Sequence, residues 1–587
     1  MANQEIAKIL FEMAELYEME GVEFKPRAYE KAALSIEALD EDIRVFYEKG
    51  GIKALMRISG VGKGIAGHIE QYFKTGHFKE YERLKKKMPI DISELTRVGG
   101  VGPKMIKVLW RKLRIRNLAD LERAARTGKI RKLERFGVKS EEKILRGIEF
   151  LKKSGGRATL GFVLPEARTI ENTIRNFPET GKVMVCGSTR RMKETIGDID
   201  ILITSEKPAR VMERFIALPQ IAHVYAHGPT KTMVKLKNGL DADLRVVPDE
   251  SFGAAVNYFT GSKDHNIALR EIAAKKGWKL NEYGLYKNQK SKIKNQKDRS
   301  KSKNNWIQIA GRSEEEIYEK LGLHYIEPEI RENAGEIEAS RQNKLPKLIG
   351  YGDLKGDLQI QTNWTDGANS IKEMAFEAKW LGLEYIAITD HTRSLAMTGG
   401  ADEKKLLKQM AEIDKIQKEV RGMKILKGAE VNIGKDGSLD IDNKTLAKLD
   451  VVGAAIHSHF NLARQDQTKR IIRAMENPNV DIIFHLTARV INKREPIELD
   501  IDVVIEAAKR TGTVLEIDAY PDRLDIKDEY IRKCVETGVK ISIDSDAHST
   551  SHIKYLEFGI AQARRGWATK NDIINAWPVE KMLDFLK

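Results

Sequence analysis

Apolar and polar positions fall into three textures along the chain. Residues 1–150 carry apolar side chains at helical spacing in short segments, with little strand signal, and predict a helical region. Val183 to Ile203 (V-M-V-C-G-S-T-R-R-M-K-E-T-I-G-D-I-D-I-L-I) begins with a buried-strand run, Val183 to Cys186, broken by Gly187-Ser188. A second apolar run there carries Asp198 and Asp200, and a third, Leu240 to Pro248, carries Asp243. From Gly352 the texture becomes strand, loop, helix, repeated. The seven strand candidates are 355–361, 384–389, 423–431, 450–456, 481–485, 513–518 and 539–544, with amphipathic stretches such as 370–381 and 402–422 between them. Seven βα units predict a distorted TIM-like (β/α)7 barrel with its site at the C-terminal strand ends.

The chemistry follows from what these patterns place together. Side chains two apart on a strand share a face, so the Asp198 and Asp200 carboxylates point the same way. They repel unless a divalent cation sits between them. With Asp243 they make three carboxylates able to hold two Mg²⁺ about 3.5–4 Å apart, the arrangement for phosphoryl transfer. Gly187-Ser188 offers a backbone N–H and a hydroxyl to phosphate oxygens, and Arg191 a planar charged donor. In the barrel, the strand ends carry Asp390-His391, Glu430, His457-x-His459, His485 and Asp546-x-His548, a His/carboxylate set suited to Mn²⁺, Zn²⁺ or Fe²⁺. In the helical region, I58-S-G-V-G-K-G-I65 and R97-V-G-G-V-G-P-K104 each set Gly-x-Gly between helices, leaving N–H groups open to a phosphate at a helix N-terminus.

Composition narrows the picture. At 587 residues the chain exceeds one core and predicts several domains. No apolar run approaches the ~18 residues of a membrane span, and the N-terminus lacks a secretory pattern. Two cysteines, Cys186 and Cys534, fit a reducing cytoplasm rather than a disulfide framework. A net charge of +15 implies a polyanionic partner once joined to the glycine hairpins. Residues 287–305, dominated by Lys, Ser and Asn, read as a disordered basic insertion at the tip of a hairpin between Tyr286 and Trp306.

The stretch 183–203 resembles the nucleotidyltransferase palm of DNA polymerase beta and the other family X polymerases, and Tyr258-Phe-Thr-Gly261-Ser, Asn266 and Arg270 extend the match. The glycine hairpins resemble helix-hairpin-helix motifs, and the barrel resembles the PHP (polymerase and histidinol phosphatase) domain that follows the core in prokaryotic members. The whole chain fits that architecture. The resemblance implies a helical DNA-binding domain at 1–85, a fingers-type helical domain at 86–155, a palm with a mixed sheet at 156–250, an α+β thumb at 251–335, a linker at 336–350 and a PHP barrel at 351–587.

It further implies a DNA-directed DNA polymerase filling short gaps in repair, with Mg²⁺ or Mn²⁺ in the palm and Mn²⁺ or Zn²⁺ in the barrel; a cytoplasmic, nucleoid-associated monomer is the default expectation. Gapped or primer-template DNA and dNTPs are the implied partners. Asp198, Asp200 and Asp243 would be catalytic. Gly187, Ser188, Arg191, Tyr258, Gly261, Asn266 and Arg270 would take nucleotide, and Lys25, Gly60, Gly62, Lys63, Gly64, Gly99, Gly102 and Lys104 would take DNA backbone. Asp366, His391, Glu430, His457, His485, Asp546 and His548 would ligate metal in the barrel, which in the family is a 3′–5′ exonuclease and sometimes an abasic-site nuclease. Four departures bear on this. His68 stands at the lyase-lysine position next to Lys25 and Tyr29, and an imidazole forms no imine, although Lys63 stays open as a substitute. Lys263 replaces an acid below the base. Gln359 and Gln361 replace the His-x-His pair, which weakens or removes the nuclease. Leu486 and Asp518 stand where proline and asparagine are expected. A structural, non-catalytic barrel and a template-independent nucleotidyltransferase remain the alternatives.

Overall fold

The apolar runs form the strands the pattern predicts. In the computed structural model, which describes residues 2–37, 39, 42–98, 101–134, 136–153, 156–288, 306–395 and 398–586, they build two main sheets. The chain divides into two compact units. One holds residues 1–155, 350–560 and 570–587, and the other holds 156–349 and 561–569.

In the second unit, five strands lie in the order Val183–Val185, Asp198–Ile203, Asp241–Val246, Lys231–Leu236, Ile221–His227. The central pair is parallel and its flanking pairs are antiparallel, so the sheet is mixed. Ile199, Ile201 and Ile203 are buried on one face, which leaves Asp198 and Asp200 on the other. Helices Phe252–Thr260 and Lys263–Lys275 follow, the latter capped by the Ser262 hydroxyl accepting from the His265 N–H. Strands Gly284–Asn288 and Trp306–Ala310 then pair antiparallel, with Trp306 opposite Asn288. Lys287 and Asn288 of the expected insertion thus lie in a strand, and 289–305 is outside the described residues.

Residues 336–349, expected as a linker, are packed. Helix Glu336–Arg341 buries Glu336, whose Oε1 lies 2.6 Å from His265 Nδ1, and His265 Nε2 meets the Tyr318 hydroxyl at 2.9 Å. Ile337, Ala339, Leu345 and Leu348 join the same core as Leu269, Ile317 and Tyr318.

In the first unit, seven parallel strands follow chain order: Gly356–Ile360, Tyr385–Ile388, Lys424–Asn432, Val451–Ala455, Ile482–Ile483, Val514–Asp518 and Ile541–Asp544. Most are buried end to end, as strands covered on both faces must be. A bridge from Ile360 to Ala547 brings the first strand beside the continuation of the last, so the barrel is nearly closed. Residues 6–151 share one helical core running from Ile6 to Leu151. The helices Lys63–Thr75 and Pro103–Leu113 start directly after the two glycine hairpins. Among the described residues no helix is long and apolar enough to cross a membrane.

Candidate active sites and family

The parallel ladder sets Asp200 opposite Asp243 and Asp198 opposite Asp241. Burial, then the neighbouring Asp198 and Asp243 charges, push the Asp200 carboxyl up to about 6, and burial with Asp243 raises Asp198. This mutual repulsion in a half-buried cleft is the condition a divalent cation relieves, so the donor set fits divalent metal ions. Without one, Lys231 Nζ and Arg245 Nη2 lie 3.6 and 3.8 Å from Asp243. Gly187 opens the short helix Gly187–Arg190 at φ +64°, and a Cβ there would stand 2.5 Å from Asp200 Oδ2. Only glycine allows the turn and the carboxylate to approach this closely.

Arg191, at the end of that turn, reaches the backbone beside Gly261. The Arg191 guanidinium donates to the Thr260 carbonyl, next to Gly261, and its Nε donates to Glu332 Oε1 at 3.0 Å. Arg190, by contrast, is committed internally: it donates to Glu314 and Thr260 Oγ1, and Glu314 is shared with fully buried Arg331. Tyr258 is 37% exposed, and its carbonyl accepts from Asn266 Nδ2 at 2.7 Å. Arg270 Nε donates to the Asn266 carbonyl at 3.3 Å.

In the helical region, Gly62 and Gly102 are N-caps without a side-chain cap, and a Cβ at Gly62, Gly64 or Gly102 would meet open space. Their backbone is accessible, and Lys63 and Lys104 are exposed beside it. Gly60 is different, since a Cβ there would meet the backbone of Ala32 at 2.9 Å, so it serves packing. Gly99 lies outside the described residues. Lys25 sits over the Tyr17 ring, and Tyr29 lies between Tyr17 and His68 with its ring tilted against both. Burial lowers the His68 pKa.

The barrel's strand ends gather Asp366, His391 and His548 in one cluster and His391, Glu430 and His457 in another. His485 Nε2 also reaches Glu430 Oε1, at 2.9 Å. Burial works against charge on His391, but Glu430 outweighs it and brings His391 up to about 9. Asn432 accepts from His457 Nδ1 at 2.7 Å, and so aims Nε2 at Glu430, 3.0 Å away. Asp546 lies nearby, its Oδ1 3.8 Å from His548 Nδ1. These residues fit two transition-metal positions.

A third position does not fit. Gln361 Nε2 donates to Glu430 Oε2 at 2.8 Å, placing an amide donor where a cation would need an acceptor, and both amide atoms of buried Gln359 have no hydrogen-bond partner among the described residues. Arg523, which the pattern gave no reason to select, lies 3.3 Å from Asp518 and 3.7 Å from Asp546. Two of the strand-end residues do not join the clusters. Asp390 accepts from Thr362, Thr365 and Gln409 and is consumed by hydrogen bonds. His459 is exposed, and its carbonyl accepts from Gln467, Arg470 and the Leu462 N–H.

Family models match along this layout: helix-hairpin-helix domain at 1–78, SAM-like helix-hairpin-helix tandem at 92–149, DNA polymerase beta palm at 164–241, DNA polymerase beta thumb at 255–332 and PHP domain at 357–574. The DNA polymerase/3′-5′ exonuclease PolX of Bacillus subtilis is 37% identical over 590 residues, covering all of both chains. The chain belongs to the family X DNA polymerases that carry a PHP domain. As a family X enzyme it is a DNA nucleotidyltransferase. The barrel alone is similar to a probable phosphatase of Thermoanaerobacter sp., 33% identical over 230 residues, 37% of this chain and 88% of that one. It is also similar to a probable phosphatase of Acetivibrio thermocellus, 34% identical over 188 residues, 31% and 73% respectively.

Proposed function

We propose that this family X polymerase extends a primer 3′-OH with dNTPs at the palm carboxylates and fills short gaps in DNA held by its glycine hairpins. The observation that carries this is the register of Asp200 against Asp243, with Asp198 on the same face and the Gly187-Ser188 turn against them. Bound divalent cations would stabilise the attacking and leaving oxygens. Asp198 and Asp200 would hold both cations, while Asp243 would hold the catalytic one and favour deprotonation of the primer 3′-OH. Ser188 and Arg191 would bind the triphosphate, with Tyr258 against the sugar and Asn266 and Arg270 beside the base pair. Lys63, Lys104 and the open glycine N–H groups would hold backbone phosphates without reading sequence, so binding would weaken steeply with salt.

For the barrel we propose two bound Mn²⁺ or Zn²⁺ ions, at Asp366/His391/His548 and at Glu430/His457/His485. Any 3′–5′ nuclease would be weakened by the Gln361 amide on Glu430. A 5′-labelled primer on a gapped template tests both parts. Extension with dNTPs and Mg²⁺ is expected, and a primer left unextended in Mg²⁺ and in Mn²⁺ overturns the polymerase reading. Lanes without dNTPs are expected to show little shortening, and rapid trimming would refute the weakened barrel.

Gly187→Ala gives a sharper check of the turn. The left-handed backbone costs an alanine about 1 kcal/mol, so the fold survives. The methyl displaces the Asp200 carboxylate, and a shift of about 1 Å costs on the order of 100-fold in rate. Single-nucleotide incorporation is therefore expected to fall about 100-fold while the melting temperature moves by only a few degrees.

A further inference from the structure

Arg565 lies within the stretch matched by the PHP model, yet segment 561–569 packs in the palm and thumb unit. Its side chain is 2% exposed. Its Nη1 lies 3.0 Å from the Arg191 carbonyl, 3.2 Å from the Glu329 carbonyl and 3.2 Å from Glu332 Oε1. The same Glu332 oxygen takes Arg191 Nε at 3.0 Å and lies 3.7 Å from Lys193 Nζ. Against the cost of burial, Arg565, Arg191 and Lys193 keep Glu332 ionised.

We infer that Arg565 is a positioning residue for nucleotide binding, acting through Glu332 on Arg191; this rests on the reading of Arg191 as a triphosphate ligand. Glu332 and a triphosphate are rival partners for one guanidinium. A carboxylate oxygen shared among three cations holds each less firmly than one held alone. Arg565 therefore keeps Glu332 from claiming Arg191 outright. Its bond to the Arg191 carbonyl fixes the backbone from which that side chain must turn. The exposures are graded in the sense this needs. Arg565 is sealed at 2%, Arg191 is 13% exposed and Glu332 27%, so the exchange takes place on the open side of a fixed anchor. The hydrogen bond from Arg191 to Thr260 keeps the guanidinium beside Gly261 while its other partner changes.

The consequence has opposite signs at two positions. Glu332→Gln removes the rival charge, and is expected to lower the KM for dNTP several-fold at nearly unchanged kcat. Arg565→Ala leaves Glu332 to Arg191, and is expected to raise that KM about tenfold, with Arg565→Lys intermediate because an ammonium reaches fewer acceptors. The double variant should return towards the Glu332→Gln value, since the two side chains act on one point. These constants are measured by single-nucleotide incorporation with the full chain on gapped DNA, alongside melting temperature and DNA affinity.

Arg191→Ala is the control for the reading beneath: if it leaves the dNTP KM unchanged, the nucleotide assignment fails whatever Arg565 does. If Arg191→Ala raises KM but Arg565→Ala lowers only the melting temperature, Arg565 is a packing residue and the inference is overturned. If Arg565→Ala does not fold, Glu332→Gln decides alone, and a raised or unchanged KM there overturns it.

Discussion

Asp200→Ala is expected to abolish primer extension while leaving the protein folded. The carboxylate faces Asp243 across a parallel ladder and stands two residues from Asp198. Losing a ligand common to both proposed cations forfeits several kcal/mol of transition-state stabilisation. About 4 kcal/mol corresponds to roughly a thousandfold in rate. Stability should move the other way. Burial, then the charges of Asp198 and Asp243, push the Asp200 carboxyl up to about 6. A carboxyl raised in this way stabilises the fold while protonated, at pH below its unfolded value near 4, and loses that contribution as pH rises through 6. Asp200→Asn should therefore melt higher than the parent at pH 8 without divalent ions, by about 1–2 kcal/mol after allowance for partial solvation. The two should coincide near pH 4. Adding Mg²⁺ at pH 8 should raise only the parent. Calorimetry across pH with and without Mg²⁺ reads all three, and a parent that melts higher at pH 8 without metal would contradict the strained cleft.

Glu430→Gln should have the largest effect on the barrel. Fully buried Glu430 accepts from Gln361 and His485 and lies 3.1 Å from His391 and 3.0 Å from His457. Removing one member of a buried, hydrogen-bonded charge cluster costs about 3–5 kcal/mol. The cost depends on pH through His391, which Glu430 raises to about 9 against its burial. That pairing contributes fully below the unfolded histidine value near 6.5 and is lost as pH rises through 9. The metal-free parent should thus lose its advantage over Glu430→Gln progressively from pH 7 to pH 10. With metal present, elemental analysis of the desalted protein should show the variant retaining about one barrel ion where the parent retains about two. Equal retention would remove Glu430 from the ligand set.

The sequence made some of this legible and concealed the rest for identifiable reasons. Strands buried on both faces must be apolar throughout, so 450–456 could be read and is Val451–Ala455 in the fold. Asp-x-Asp was readable because two-residue periodicity needs no tertiary information. Asp390 misled, since the threonines and glutamine that consume it sit 19–28 positions away and only the fold gathers them. Residues 336–350 read as a linker because their apolar signal is thin, yet the buried pair Glu336 with His265 and the packing of Ile337, Leu345 and Leu348 hold them in the core. Glu332 and Arg565 are 233 positions apart, and neither belongs to a motif.

Segment 561–569 bears on how such a protein can be dissected or recombined. Arg564 Nε meets Glu329 Oε1 at 2.7 Å and its Nη1 meets the Ile349 carbonyl at 2.9 Å, while Trp567 and Leu348 share a core. A polymerase fragment ended at residue 350 would forfeit these partners although every palm and thumb motif remained in it. Gene fusion joined end to end at that residue would fail for the same reason, because a foreign C-terminal half would arrive without the two arginines. The domain boundary readable in the gene is therefore not the boundary of the compact unit, which takes back residues 561–569 from beyond it.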